Sequence, residues 1–192
     1  AILIIFLSPI AITSYLEYQA AEKQLTELVL TQKKDLARFA SVTLEEKFDR
    51  IVEVGVSLVT RVQFKKQIEA GNWDEAVKIM ESVPVDFPYV DTVALFDPEG
   101  VVMAITPLNP SIREAIGKSF AYRDYYIGVS KNWEPYVSEV FKRAVEPAYN
   151  VISVAIPIKA GSVFQGVDQK ILGILLLTIK LDTILDWTRE IE

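Results

Sequence analysis

Between about Ser14 and Ala70 the chain has no proline and one glycine, Gly55. Across that run Leu36, Ala40, Leu44, Phe48, Ile51, Gly55, Leu58 and Val62 recur at steps of three and four. This spacing predicts one helix with a continuous apolar stripe. At 1.5 Å per residue such a helix spans about 85 Å, far beyond the mean globular helix. It suits carrying displacement over a distance better than closing a core on itself. Glu45, Glu46, Lys47, Asp49 and Arg50 fall on the other faces and read as solvated surface. The stripe has two readings, packing on the chain's own sheet or on a partner's helix. The lack of sustained apolar a/d pairs from Gln19 to Lys34 argues against a strict coiled coil there. Gly71-Asn72 supplies a stop signal.

The remaining chemistry is narrowed by what is missing. The 192 residues include no cysteine and no histidine. Disulfides, thiolate sites, the commonest metal ligand and the commonest general base are therefore excluded. Twenty basic against 26 acidic residues, a formal charge of −6, argue against a nucleic-acid partner. No phosphate-binding glycine loop, zinc-protease helix motif or serine nucleophile elbow occurs, so no catalytic residues, metal or cofactor are expected. Glu134 and Glu139 form a carboxylate pair of the kind glycosidases use, but in a chain rich in acids the pair reads as surface.

Residues 1–16 carry no charge and begin without methionine or a basic flank. A bilayer crossing needs about 20 apolar residues. The segment reads as the outer end of a transmembrane helix. A signal-peptide core is the rival reading, and it fits less well because the charged helical pattern runs straight on through Glu17, Glu22 and Lys23.

Beyond Pro88 the pattern changes to strands. Tyr89–Phe96, the Asp97-Pro98-Glu99-Gly100 turn and Val101–Thr106 make a hairpin. Asp74–Ser82 reads as a short helix before Pro84 and Pro88 force an extended turn, and Pro110–Lys118 as another, with Ser111 as N-cap and Glu114 closing a capping box. Tyr136–Phe141, Asn150–Ile158 and Lys170–Leu181 complete five strands. The predicted class is α+β: a long N-terminal helix, then a five-stranded antiparallel sheet with short flanking helices.

Within this half, residues 120–158 gather one arginine and many aromatic rings ahead of an apolar strand. Arg123 offers a permanently charged planar fork suited to a carboxylate. Tyr125, Tyr126, Tyr136, Phe141 and Tyr149 offer apolar walls, four of them with polar tips. Each has a plainer reading: Arg123 as an ion pair with Asp124, Phe141 as core, and Trp133 and Pro135 as a lid. Trp73 and Trp187 read as packing anchors at helix ends.

The order RDYY (123–126), PYVSEVF (135–141) and VAIPI (154–158) resembles the membrane-distal half of double Cache domains, the extracytoplasmic sensors of bacterial and archaeal histidine kinases and chemoreceptors. That resemblance implies a PAS-like sheet and a role in sensing rather than catalysis. It divides the chain into a truncated transmembrane end (1–16), a stalk helix (17–71), a PAS-like module (72–181) and the start of a linker helix (182–192). It also implies membrane attachment, a homodimer in the full-length receptor and a small-molecule ligand, a carboxylate or an amino-acid-like metabolite. In the amino-acid-binding subset, an arginine precedes an aromatic pair by two and three residues, here Tyr125 and Tyr126, and a later aromatic aligns with Phe141. Where that subset has the aspartate that holds the ligand's ammonium, this chain has Thr178. A buried ammonium without a carboxylate is costly, so a carboxylate-bearing ligand without an amine is expected unless Asp124 or Asp168 supplies the charge. Histidine-kinase output is preferred over an amino-acid chemoreceptor. The competing class is a structural or dimerisation ectodomain that binds nothing.

Overall fold

The computed structural model describes residues 2–161 and 170–189, with side chains described from residue 17 onward apart from Ala20. Gly166, Asp168 and the last three residues of the expected linker helix lie outside the described residues.

Helix α1 spans Ile2–Val59. The chain divides into two compact units, residues 1–43 and 44–192. The first is the N-terminal stretch of α1 alone, and on it Leu25, Leu28, Leu36 and Phe39 are exposed. In the second, Ile51, Leu58 and Val59 of the same helix are buried in the core. Among the described residues no helix is long and apolar enough to cross a membrane.

The helix ends at Val59 and not at residue 71. The Thr60 hydroxyl donates to the carbonyls of Val56 and Ser57 at 2.9 and 3.0 Å, and Arg61 takes an extended conformation (φ −60°, ψ 126°). Such back-bonding by threonine weakens helix propagation. After the break, helix α2 (Val62–Glu69) leaves Val62 exposed and buries Phe64 and Ile68. Core burial of those two side chains thus overrides a pattern that local sequence would continue. Gly71, at φ +73°, ends α2 as expected. Helices α3 (Trp73–Lys78) and α4 (Val83–Asp86) follow. Pro84 lies in the first turn of α4, where its missing N–H costs nothing, rather than in an extended turn.

The strands are β1 (Val90–Phe96), β2 (Val102–Thr106), β3 (Tyr136–Val137), β4 (Phe141–Lys142), β5 (Asn150–Lys159) and β6 (Ile171–Lys180). They form one antiparallel sheet in the order β2-β1-β6-β5-β3, with β4 also paired to β5. The single strand expected over 136–141 is therefore two short pieces. Between them the backbone N–H of Glu139 leaves the ladder to donate to Asp124 Oδ2 at 2.8 Å, while Ser138 Oγ accepts from Ser153 N at 2.9 Å.

The central strands β1, β6 and β5 are buried on both faces, so they read as almost continuous apolar runs. Val93, Leu95, Val154, Ile156, Leu175 and Leu177 face the core built with α1, α2 and α3. The alternate residues Ala94, Phe96, Ala155, Ile174 and Leu176 face a second, smaller cluster with Phe120, Tyr125 and Val129. Helix α5 (Pro110–Arg113) and helix α6 (Asp124–Ser130) lie on this second side. The N-cap of α5 is Asn109, whose Oδ1 accepts from Ile112 N at 2.8 Å. Ser111 is displaced from that role because Pro110 suits the first helical position. Helix α7 (Leu181–Arg189) follows β6 directly and buries Ile184.

Candidate functional site

Inward residues of β1 and β6 form the floor of a cavity on the second face of the sheet. Thr92 and Thr178 are cross-strand partners, and Ser153 is the partner of Thr178 on β5. Ser153 Oγ and Thr178 Oγ1 lie 3.1 Å apart, and all three side chains are buried. A row of hydroxyls therefore crosses three strands that are otherwise apolar at this level. The cavity above it measures about 80 Å³ and is walled by Phe96, Ile112, Phe120, Tyr125, Phe141, Val145 and Leu176.

Arg123 lies at the edge of this space, as the N-cap of α6. Its guanidinium stands 5.2 Å from the Phe141 ring centre and 5.3 Å from that of Tyr122. Among the described residues no carboxylate or hydrogen-bond acceptor engages it. The neighbouring Asp124 is occupied elsewhere, accepting from Tyr136 Oη at 3.1 Å and from Glu139 N. Aromatic faces stabilise the cation without neutralising it.

Tyr125 is 5 % exposed, its ring set against Phe96 at 5.9 Å and Phe141 at 5.5 Å. Burial pushes its hydroxyl well above the ordinary phenol range, against a smaller opposing pull from Arg123. Tyr125 is thus a neutral hydrogen-bond donor at any ordinary pH.

Arg123, Tyr125, Phe141 and Thr178 thus meet around one cavity. The other three expected site residues do not line it. Tyr126 donates to the carbonyl of Pro98 at 2.8 Å and lies over Gly100, where a Cβ would come within 2.8 Å of its ring. It fastens α6 to the β1–β2 turn. Tyr136 is turned to Asp124. Tyr149 sits beside the cavity in a polar cluster: its hydroxyl accepts from Arg143 Nη1 and donates to Asp91 Oδ2. Trp133, held at φ +54°, and Pro135 do not line the cavity either.

Sequence reasoning missed Arg143, Thr92 and Asp91. Arg143 lines the cavity just after β4 and pairs with Asp91 at 3.2 Å. Asp91 stands at a bulge in β1 between Val90 and Thr92 and also pairs with Lys180 at 3.0 Å. A bulge breaks strict alternation and re-aims a side chain. Alternation alone placed Thr92 on a strand and gave no hint of its partner. Two wider clefts, about 270 and 340 Å³, open elsewhere. In the first, Lys65 and Lys159 are already bound to the Gly161 carbonyl and to Glu134. In the second, Arg50 is exposed and Lys47 lies over the Trp187 ring. Among the described residues, the smaller cavity is lined by a partly buried cation, Arg123, without an acidic partner. Among the described residues no cluster of acidic side chains is arranged to hold a metal.

No family model and no curated protein matches the chain. Solved structures do. The sensor domain of the Vibrio cholerae histidine kinase DctB matches with a TM-score of 0.62 at 14 % identity, over 85 % of this chain and 60 % of that one. The fold is that of the Cache sensor domains. The ligand-binding domain of the Pseudomonas aeruginosa PAO1 amino-acid chemoreceptor PctB, in complex with L-Gln, gives 0.57 at 10 % identity, over 80 % of this chain and 56 % of that one. The ligand-binding domain of the Pseudomonas fluorescens chemoreceptor CtaA, in complex with L-alanine, gives 0.58 at 14 %, over 79 % and 61 %. An extracellular ligand-binding receptor from Desulfohalobium retbaense gives 0.55 at 16 %, over 78 % of this chain and 26 % of that one. The chain therefore spans about a quarter to three fifths of the length of these Cache neighbours.

Proposed function

We propose that this chain is the ligand-sensing part of an extracytoplasmic receptor, that it binds a small carboxylate in the Arg123 cavity, and that α1 relays occupancy to a histidine-kinase output. Membrane attachment through residues 1–16 and a homodimeric receptor belong to the same reading. The observation that carries it is the unpaired Arg123 guanidinium beside Tyr125 and a hydroxyl floor. A half-buried cation without a counter-ion is an unmet electrostatic demand, and a carboxylate meets it with parallel N–H···O bonds. Size points the same way. An engineered apolar cavity of about 150 Å³ holds benzene, so about 80 Å³ suits a ligand with a two- or three-carbon body.

PctB and CtaA were solved with amino acids, whose ammonium needs an acceptor. Here the charged lining residues are both arginines, Thr178 contributes a hydroxyl, and Asp124 is spent on Tyr136 and Glu139. Free α-amino acids are therefore disfavoured. Isothermal calorimetry with acetate, propionate, glycine and alanine tests this. Acetate or propionate should bind, with the affinity lost at least about tenfold in Arg123→Gln, as expected for one charged hydrogen-bonding contact. Tight binding of glycine or alanine with none of acetate or propionate would overturn the assignment.

A further inference from the structure

We propose that Arg143 is a second ligand-contacting residue of the cavity, held in place by Asp91 and Tyr149, and that it makes the preferred ligand a small dianion with two anionic ends. This rests on the carboxylate reading of the Arg123 cavity and specifies it. Arg123 and Arg143 reach the space from different elements, one from the start of α6 and one from the segment after β4, and no acidic residue lines it.

The hydrogen bonds of Arg143 are divided. Nη1 donates both to Asp91 Oδ2 and to the Tyr149 hydroxyl. Nε and Nη2, the other edge of the fork, have no acceptor among the described residues. The side chain is only 11 % exposed, yet no described polar side-chain atom is both sealed from solvent and unpartnered. The free edge therefore keeps an accessible face, and the cavity is what the residue lines. Its backbone is fixed as well, Arg143 N donating to Tyr149 O at 3.0 Å. An arginine pinned on one side and open on the other is preorganised for bidentate capture of an anion.

Charge counting gives the ligand class. Asp91 is shared between Arg143 and Lys180, so one carboxylate faces two cations. Two cations therefore line the space without full compensation, Arg123, which has no counter-ion, and Arg143, whose carboxylate partner is shared with Lys180 outside the cavity. A monocarboxylate leaves one of them unmet. A dicarboxylate meets both, while an ammonium group is repelled from either end.

The test is calorimetry of the chain with acetate, malonate and glycine in wild type, Arg123→Gln, Arg143→Gln, Arg143→Lys and Tyr149→Phe. Malonate should bind wild type at least about tenfold tighter than acetate, the increment of one more charged contact. Arg143→Gln should erase that preference by lowering malonate affinity more than acetate affinity, whereas Arg123→Gln should weaken both. A purely structural role for Arg143 would lower both ligands alike and keep their ratio. If Arg143→Gln fails to fold, Arg143→Lys and Tyr149→Phe carry the test, each with a reduced malonate preference. The proposal is overturned if wild type does not prefer malonate, or if the preference survives intact in the Arg143 variants. Preference retained in full by Tyr149→Phe overturns the anchoring alone. If no carboxylate binds wild type, the broader reading fails together with this one; if acetate binds and depends on Arg123 but malonate gains nothing, only this one fails.

Discussion

The distribution of acids around two arginines decides the chemistry of the site. Asp124 follows Arg123 in sequence but points its carboxylate at Tyr136 and the backbone of Glu139. Asp91, 52 positions from Arg143, is the acid that pairs with it. Tyr149 links the two, and burial, then its hydrogen bond to Asp91, raise its pKa to about 12 from the usual 10. The sign of the linkage follows directly. A phenol whose folded pKa lies above its unfolded value contributes stability that is fully present below pH 10 and is lost as pH rises through 12. Denaturation followed from pH 8 to 12 should show a constant stability gap between wild type and Tyr149→Phe up to about pH 10 and a shrinking gap above it. A gap independent of pH over that range would mean that the Tyr149 proton is not held by this cluster. Arg143 had no local signature, since a lone arginine in a connection looks like any solvated charge. Only pairing across the sheet gives it a role.

At the scale of elements, helix α1 meets the sheet where a glycine allows it. A Cβ on Gly55 would lie 1.7 Å from Ile156 Cδ1, and Leu177 Cδ1 is only 3.3 Å away. Both neighbours are buried, so a larger side chain here has to displace them. Gly55→Leu should therefore destabilise by about 2 kcal/mol or more, although glycine is the poorer helix former by about 1 kcal/mol. Thermal unfolding measures this, and an unchanged or raised Tm would show that α1 does not pack at this distance. Helix α5 is a single turn, so its cap matters in proportion. Asn109→Ala removes the bond to Ile112 N and should cost about 1 kcal/mol. Because Ile112 and Ala115 wall the cavity, the same variant should weaken acetate binding, which a cap with only local importance would not do. The sequence showed Gly55 as one position of a continuous stripe; its close approach to the sheet is a property of two elements together.

For the whole molecule, the sensor reading and the ligand-free structural reading differ in one thermodynamic consequence. A ligand that binds only the folded state stabilises it by mass action, about 2.7 kcal/mol at a hundredfold excess over Kd. Acetate or malonate should accordingly raise Tm in wild type and leave Arg123→Gln nearly unmoved. A flat response at saturating concentration of both would favour the ligand-free reading. The sequence by itself determined the α+β class, the long N-terminal helix, the β1–β2 hairpin and the grouping of Arg123 with Tyr125 and Phe141. These follow from periodicity, turn chemistry and the concentration of rings around one arginine, all of them short-range signals. Tertiary structure alone decided where α1 stops, since burial of Phe64 and Ile68 outweighs the helical pattern at Thr60. It also removed Tyr126 and Tyr136 from the cavity by giving their hydroxyls nearer acceptors, brought in Thr92 and Arg143, and paired Arg143 with Asp91. Those assignments depend on strand register and on which acid reaches which base. Pairings of that kind join residues far apart in the chain, and their energies exist only once the sheet has formed.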